Sequence, residues 1–341
     1  MSFFIFYLLL DRIMTTTLAQ RGNFMQIRFG YVAMALGIPQ GSPNKTTTVF
    51  QLAKIKDREN QLSKLSRLAR ENLNIQMRVL RYNAAHHINV FRITSHLIPL
   101  ATHTVAHDWD YCEEFREELF ALGKFVKTHG VRISAHPDHY TILNSPAEQV
   151  VETALADLRY HVNLFEAMEL GTEAKLVLHV GGLYKNKSVS LERFKVVFWQ
   201  LPDRIRNRII VENDDKSYTA RDVLALCREI GAPMVLDVHH HKCCNDGIPL
   251  EDILPEIFAT WGTERPKIHF SSSKEGTNSR AHADYIEGKE FLKFLNIAKK
   301  SNRDFDVMVE AKQKDLALFA LMAEIEKSKK VNILNEAAIE Y

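Results

Sequence analysis

A regular alternation of short apolar runs with longer amphipathic stretches is the feature that most constrains the fold, and it begins near Gln26. Each apolar run is short enough for one strand, and its lack of polar residues is typical of a strand covered on both faces. Eight strands are predicted, at Ile27–Val32, Val90–Thr94, Val131–Ala135, Lys175–Val180, Arg208–Val211, Met234–Val238, Lys267–Phe270 and Phe305–Val309. Helices are predicted between most of them, at 57–80, 113–129, 147–169, 190–200, 220–230, 250–260 and 287–300.

This alternation predicts a single α/β domain, a closed (β/α)8 barrel of the TIM-barrel type. An open doubly wound sheet is the competing architecture, but the G-x-G-x-x-G sequence typical of it does not follow the first predicted strand. No linker rich in Pro, Gly or Ser divides the chain. We assign residues 26–330 to the barrel, residues 1–25 to a poorly defined leader and residues 331–341 to a C-terminal tail.

The composition indicates an ordinary globular protein, with 46% hydrophobic and 25% charged residues. A net charge of +2 neither requires nor excludes a nucleic-acid partner, because a local stripe of basic side chains is sufficient for one. The four cysteines include no C-x-x-C pair, which argues against a disulfide scaffold and favours a reducing compartment. The N-terminal run FFIFYLLL is too short to span a bilayer and lacks the flanks of a signal peptide. We therefore expect a cytoplasmic protein without a membrane segment.

Side chains that can bind a metal ion stand at the carboxyl ends of several predicted strands. The segment PMVLDVHHHKCC (233–244) contains one carboxylate and three imidazoles where a buried strand stops. The same pattern recurs along the chain, at His136, His179, Glu212, Asp237, His269 and Glu310. A single histidine at a strand end is more often a core or surface residue, but repetition on successive strands favours a shared site. TIM-barrel enzymes have their active sites at this edge.

The types of ligand restrict the chemistry. Imidazoles and carboxylates without thiolates suit Mn²⁺, Zn²⁺ or Fe²⁺. Six or more ligands are too many for one ion, so we expect two or three ions that share a bridging carboxylate, an arrangement suited to in-line displacement at phosphorus. We interpret the adjacent Cys243 and Cys244 as loop residues because neighbouring cysteines are poorly placed to chelate one ion. Six histidines have no such pattern: His86, His87, His96, His107, His129 and His161.

Eight segments resemble the UV damage endonuclease family, in the same order, from about residue 26 to 312. They are RFGYV, RITSHLIPLATH, SAHPDHYT, LHVGGLYKNK, VENDDKSYT, LDVHHH, PKIHFSS and VMVEAK. The resemblance implies a TIM barrel related to the endonuclease IV class. It also implies an enzyme that nicks DNA 5′ to cyclobutane pyrimidine dimers and 6-4 photoproducts, with abasic sites as a further candidate substrate. The implied cofactors are divalent ions, usually Mn²⁺, with Zn²⁺ as the alternative.

The resemblance also implies roles for single residues. A first ion would be held by His136, His179 and Glu212, and Glu212 would bridge to a second ion. The other ligands of the second ion would be Asp237, His269 and Glu310. The third ion would be held by His240 and His282. His240 fits only if the strand ends near Val238 and the chain turns over the barrel mouth.

Three further residues, with Glu212, are implied to take part in catalysis. Lys267 stands where the family has a lysine that can be carboxylated. His103 and Tyr31 stand at positions near the reacting phosphate. The resemblance thus extends from the metal ligands to the surroundings of the phosphate.

The residues expected to contact the DNA match the family pattern less closely than the metal ligands do. The family commonly has Gln-Tyr where this chain has His139-Tyr140, a pair that inserts into the duplex at the lesion. Tyr140 can still stack. The chain also has Ala35 where some members have a polar residue, so the range of lesions is left open. The cations at strand ends would either contact phosphates or be solvated surface charges: Arg92, Lys185, Lys187 and Lys216.

The expected partner is double-stranded DNA with UV lesions, bound by a monomer in the cytoplasm, or in the nucleus if the organism is a eukaryote. Three alternatives are open at this point. A sugar isomerase or epimerase also uses divalent ions in a TIM barrel, but it needs a closed polyol pocket. An abasic-site nuclease without photoproduct specificity would use the same metal centre. An inactive DNA-binding relic is disfavoured by the complete set of ligands.

Overall fold

The eight predicted strands are all present in the computed structural model, which describes residues 24–275 and 279–341. Each strand lies within one residue of its predicted bounds at either end. The strands are β1 Gln26–Val32, β2 Val90–Ile93, β3 Arg132–Ala135, β4 Lys175–His179, β5 Ile209–Glu212, β6 Met234–Asp237, β7 Lys267–Phe270 and β8 Phe305–Val309. They pair in parallel in chain order, and β8 pairs with β1. The predicted closed barrel is therefore confirmed, and the open sheet is excluded.

Helices cover the outside of the barrel, and each predicted helical window contains one. Their bounds are α1 Val49–Ala53, α2 Arg58–Ala85, α3 Tyr111–Glu114, α4 Arg116–Thr128, α5 Glu148–Ala167, α6 Lys187–Gln200, α7 Asp203–Arg206, α8 Ala220–Ile230, α9 Val238–Cys243, α10 Leu250–Ala259, α11 Gly288–Ala298 and α12 Lys314–Ile325. Helix α8 shows the local signals well. Thr219 and Asp222 form a capping box at its start, and Gly231 ends it at a φ of 69°.

Alternation along each strand separates two apolar layers. One layer faces the barrel axis and includes Val177, Ile210 and Val235. The other layer is the large core between the strands and the helices. Because alternate residues share a face, Glu212 and Asp237, each two residues after an axial valine or isoleucine, also face the axis.

An ion cluster crosses the interior of the barrel below the mouth. Asp306 on β8 accepts hydrogen bonds from Arg28 Nε at 2.8 Å and from Arg132 Nη1 at 2.8 Å. Asp306 is fully buried. The charge of Asp306 is thus neutralised inside the barrel by partners from two other strands, β1 and β3, as a buried carboxylate requires.

The two ends of the predicted barrel domain need correction. Residues 331–341 form a β-hairpin, not a tail: β9 Asn332–Asn335 is followed by β10 Ala338–Glu340, which pairs antiparallel with β1. Met25, assigned to the leader, is buried, and its backbone N–H donates to the carbonyl of Tyr341 at 3.1 Å. Residues 1–23 of the predicted leader lie outside the described residues. Among the described residues, no helix is long and apolar enough to cross a bilayer.

Candidate metal centre

The strand ends bring imidazoles and carboxylates together at the mouth of the barrel. His179, Glu212 and Asp237 are the last residues of β4, β5 and β6. His136 and Glu310 follow β3 and β8 directly. The register places His179 opposite Glu212, and it places His269 on β7 opposite Asp237. Residues far apart in the sequence therefore share one rim.

Glu212 is the centre of this arrangement and is fully buried. Its Oε2 atom lies 3.3 Å from His136 Nε2 and 3.6 Å from His179 Nε2. Its Oε1 atom lies 2.8 Å from His269 Nδ1 and 3.6 Å from His240 Nδ1. Each carboxylate oxygen therefore faces two imidazoles, which is the geometry that a bridging ligand needs.

Glu310 extends the cluster on the other side of His269. Its Oε1 atom lies 3.0 Å from His269 Nδ1, and its carboxylate also pairs with Arg92. Arg92 was predicted as a contact for DNA phosphates, but the structure uses its side chain in this largely buried ion pair. Strand alternation is the reason, because Arg92 faces the barrel axis, as Glu310 does.

His240 reaches the cluster from a helix. Strand β6 ends at Asp237, and the chain turns at once into α9. The Asp237 carboxylate caps this helix by accepting a hydrogen bond from the backbone N–H of His240 at 2.7 Å, and the two side chains approach to 3.8 Å. The capped turn is why the middle histidine of the triplet faces the site, while His239 lies near the Arg280 carbonyl. Cys243, predicted in a loop, is the last residue of this helix.

Among the described residues, three groups of side chains place their ligand atoms close enough to hold a metal ion, and Glu212 belongs to each of them. The groups are His136–His179–Glu212, Glu212–Asp237–His240 and Glu212–His269–Glu310. The first group consists of the three residues that were predicted to hold the first ion. His240, predicted to share an ion with His282, lies instead with Glu212 and Asp237.

His282 is the most peripheral of the predicted ligands. Its Nδ1 atom lies 2.8 Å from the backbone carbonyl oxygen of Glu310 and 4.0 Å from Glu310 Oε2. Its ring centroid is 6.0 Å from that of His240. His282 therefore borders the cluster without completing any of the three groups.

The polar atoms of the cluster are incompletely satisfied by protein partners. Several buried ones have no hydrogen-bond partner among the described residues: Glu212 Oε2, Asp237 Oδ2, His269 Nε2 and His179 Nδ1. Buried polar atoms are rarely left unpaired. Unpaired carboxylate oxygens and imidazole nitrogens beside each other are a donor set that fits divalent cations.

Burial and mutual charge change the pKa values strongly. Burial alone would raise the pKa of Glu212, but the imidazoles of His269 and His179 hold it well below its usual range. Burial lowers the pKa of His179 and raises that of Asp237. Burial alone would lower the pKa of His240, but the carboxylates of Asp237, Glu212 and Glu310 raise it to about 9. The three carboxylates thus favour positive charge at the position of His240.

Lys267 lies deeper in the barrel than the metal-binding groups. Its Nζ atom donates a hydrogen bond to Ser134 Oγ at 2.9 Å, and the side chain is buried. Burial, followed by the charges of Arg132 and Arg92, lowers the pKa of Lys267 well below its usual value. A neutral amine is the form that can react with carbon dioxide.

The side chain of Tyr31, predicted to lie near the reacting phosphate, points away from the barrel mouth. Its ring packs on Phe91 in the layer between strands and helices, with centroids 5.1 Å apart. Its hydroxyl donates to Asn83 Oδ1 on α2 at 2.5 Å. The cause is again alternation, since Tyr31 pairs in register with the outward-facing Phe91 and Val309.

The other predicted contacts lie on the mouth side, in loops or, for Lys187, at the start of α6. His103 is exposed and caps a 3₁₀ turn by accepting from the Val105 N–H at 3.1 Å. Tyr140 is 57% exposed, and its ring lies 4.3 Å from that of His139. Three lysines were predicted to contact DNA. Lys187 pairs with an acidic side chain, Asp222, at 2.7 Å, whereas Lys185 and Lys216 are exposed.

Asn213 is a site residue that sequence reasoning did not select. Its amide group exchanges two hydrogen bonds with the backbone of Asp237, at 3.0 Å and 2.9 Å. Its carbonyl oxygen lies 3.0 Å from His240 Nδ1. The feature of the sequence that could have indicated this role is the position of Asn213 directly after Glu212. A buried amide at the end of one strand can form hydrogen bonds with the end of the next strand.

Comparison with known proteins extends over nearly the whole chain. A family model described as UV-endonuclease UvdE matches residues 27–341. The UV DNA damage endonuclease of Halalkalibacterium halodurans is 40% identical over 321 residues, which cover 93% of this chain and 99% of the relative. That of Bacillus mycoides is 39% identical over 322 residues, which cover 93% and 100%. The crystal structure of SacUVDE is similar with a TM-score of 0.79 and 32% identity, and the match covers 88% of this chain and 98% of that one.

Proposed function

Because the chain belongs to the UV-endonuclease UvdE family, whose members are endonucleases that act on DNA phosphodiester bonds, we propose that it nicks the strand 5′ to UV photoproducts. The proposed lesions are cyclobutane pyrimidine dimers and 6-4 photoproducts, with abasic sites as further substrates. The proposed partner is double-stranded DNA, bound by a monomer in the cytoplasm, or in the nucleus of a eukaryote. A sugar isomerase is not favoured, because the relatives that match the whole chain are DNA endonucleases.

The position of Glu212 in all three candidate metal-binding groups is the observation that carries this proposal. The three groups would hold two or three divalent ions. Mn²⁺ is the proposed metal, and Zn²⁺ is the alternative. Such ions lower the pKa of bound water, neutralise phosphate charge and stabilise a leaving oxygen. His282, which borders the groups, would complete the coordination beside His240.

The other residues have roles that follow from their positions. Arg92 holds the Glu310 carboxylate in place through their ion pair. His103 stands exposed on the mouth side, where its imidazole can contact the phosphate. Lys267, buried and held neutral, would be carboxylated and would then add a negative charge below the metal-binding groups.

Tyr140 would act on the bases of the duplex. A photodimer cannot remain stacked while an enzyme reaches the adjoining phosphate, so both damaged bases should flip outward. The exposed ring of Tyr140 can stack in the gap that they leave, and His139 supports it from the side. Lys185 and Lys216 would contact the DNA backbone.

The decisive experiment is nicking of a duplex that carries one defined photodimer, by protein first stripped of metal and then loaded with Mn²⁺. We expect one cut, 5′ to the dimer, that requires the ion. Parallel reactions contain undamaged duplex, a duplex with one abasic site, and ketose and aldose sugars. Cutting of the abasic duplex alone would identify a general abasic nuclease. Sugar turnover without nicking would contradict the proposal.

A further inference from the structure

The loop between β4 and α6 carries two exposed apolar side chains at its tip. Leu183 and Tyr184 are 38% and 39% exposed. The loop leaves the barrel on the mouth side, shortly after His179. Large apolar side chains side by side in solvent, next to a candidate active site, are typical of a contact surface.

The backbone of this tip is bonded into the protein, so its side chains are what it presents to solvent. The carbonyl of Gly182 accepts hydrogen bonds from Asn144 Nδ2 at 2.8 Å and from Tyr218 Oη at 3.0 Å. The carbonyl of Leu183 accepts from Ser190 Oγ at 2.7 Å. The tip is therefore anchored from below by three side chains.

The conformation of the tip is also unusual. Tyr184 and Lys185 have φ values of 44° and 68°, in the left-handed region that non-glycine residues rarely adopt. Such conformations persist only where the surroundings hold them, and they are concentrated at ligand-binding positions. A loop held rigid in this way loses little conformational entropy when it binds a partner.

The tip lies beside the loop that carries Tyr140. Gly181, at a φ of 109°, lies so close to Ile142 and Asn144 of that loop that a Cβ atom would meet the side chain of Ile142 at 2.7 Å. One face of the Tyr184 ring is covered by the Arg193 guanidinium, 5.4 Å from its centroid. The exposed Lys185 follows directly. An apolar surface and a positive charge thus adjoin each other at the tip.

We propose that Leu183 and Tyr184 form a second DNA-contacting tip, which packs on deoxyribose rings beside the candidate metal centre while Lys185 binds the neighbouring phosphate. The inference rests on the proposed function, because it takes DNA as the ligand. Sugar rings are the apolar part of the DNA backbone, and the charges of the phosphates complement the lysine. Sugars are the same in damaged and undamaged DNA, so the tip contributes to affinity irrespective of the lesion.

The test measures the affinity of the full-length double variant Leu183→Ala/Tyr184→Gly for undamaged duplex, by fluorescence anisotropy. We expect a loss of about tenfold, equivalent to about 1.4 kcal/mol. In EDTA, affinity for a duplex with one photodimer should fall by the same factor. Glycine removes the backbone strain at position 184, so the melting temperature should be unchanged or higher; a tip with only a structural role would lower it.

The dependence on salt separates the apolar contact from the charge. The double variant should keep the wild-type slope of log affinity against log salt, whereas Lys185→Ala should reduce that slope by about one. Trp199→Ala is the matched control. Trp199 is also an exposed aromatic residue under an arginine, but it lines a cavity at the opposite end of the barrel with Lys175 and Pro233.

Three outcomes are distinguishable. If the double variant binds DNA as tightly as wild type, or loses no more affinity than Trp199→Ala, the tip proposal is overturned. The proposed function still stands in that case if the wild type nicks the photodimer duplex. A loss confined to damaged DNA would also overturn the tip proposal. If the wild type neither binds nor nicks DNA, the proposed function itself is refuted, and the tip proposal is refuted with it.

Discussion

The Nδ1 atom of His269 lies 2.8 Å from the Oε1 atom of Glu212, although their strands are not neighbours in the barrel. Strand β6 lies between β5 and β7, so the contact exists only because both side chains point to the barrel axis. His269 also lies 3.0 Å from Glu310. One imidazole therefore connects two carboxylates, and Glu212 connects this pair with the histidines of β3 and β4.

Glu212→Gln tests this central position. The amide keeps the shape of the side chain but removes the charge that the three groups share, so nicking of a photodimer duplex should fall at least about 100-fold. Bound metal, measured by elemental analysis, should fall as well. Glu251→Gln, an exposed residue of α10, is the control and should change neither quantity. Retained activity with normal metal content would contradict a bridging role for Glu212.

Removal of the metal should act on stability as well as on activity. The cluster holds buried carboxylate and imidazole atoms without protein partners among the described residues, so an ion that binds the folded state should stabilise it. We expect the melting temperature of EDTA-treated protein to rise when Mn²⁺ is added, in proportion to the logarithm of its concentration. The Glu212→Gln variant should show a much smaller rise. An equal rise in both would place the ion elsewhere.

The sequence predicted the barrel and most of its rim because both follow from local rules. Apolar runs defined the strands, and parallel closure brings the carboxyl ends of strands to one edge, which is why His136, His179 and Glu212 could be assigned to a shared rim from their positions in the chain. Their grouping around one ion came from the family resemblance. The periodicity of apolar residues does not predict the ligands that come from segments outside the strands. His282 lies in a segment without strand signal, and only family resemblance indicated it.

Other placements depend on which way a side chain points. Tyr31 was assigned to the phosphate by the family resemblance, but strand alternation turns its side chain toward α2. Arg92 was interpreted as a phosphate contact or a solvated surface charge, but the same alternation turns it inward to Glu310. The C-terminal hairpin was missed because its pairing with β1 joins residues at opposite ends of the chain. Long-range pairing of this kind leaves little trace in a local pattern.

Tyr140→Ala should separate recognition of the lesion from general binding. The ring is exposed and free to stack where bases have left the duplex, and a base stacked on an aromatic ring contributes about 1 to 3 kcal/mol. Affinity for a photodimer duplex in EDTA should therefore fall about tenfold or more, with a smaller loss for undamaged duplex. Phe120→Ala, an exposed aromatic on the outer helix α4, is the control. Equal losses on both duplexes would refute the wedge.

Tyr31→Phe should affect stability and leave nicking intact. The hydroxyl of Tyr31 is buried and its hydrogen bond goes to Asn83, so removing it should cost about 1 to 3 kcal/mol of unfolding free energy. Denaturant unfolding measures this loss. The rate of nicking under saturating Mn²⁺ should stay within about twofold of wild type. A large loss of nicking with unchanged stability would contradict this expectation and would indicate that Tyr31 acts near the reacting phosphate.

Asp306 should make the stability of the barrel depend on acid. Burial alone would raise its pKa, but the hydrogen bond and charge of Arg28, with the charge of Arg132, lower the pKa below its ordinary value. A carboxyl whose pKa is lower in the folded than in the unfolded protein stabilises the fold above the unfolded pKa. That contribution is lost as the pH falls through the folded pKa.

Asp306→Asn removes this charge and leaves two arginines without their buried partner, so it should cost about 3 to 5 kcal/mol of unfolding free energy at neutral pH. The difference from wild type should shrink as the pH falls below about 4. Asp203→Asn, in an exposed pair with Arg206, is the control and should cost at most about 1 kcal/mol. Urea unfolding at a series of pH values measures all three proteins. A difference that stayed constant down to the acid limit would show that the Asp306 carboxylate does not stabilise the barrel through its charge.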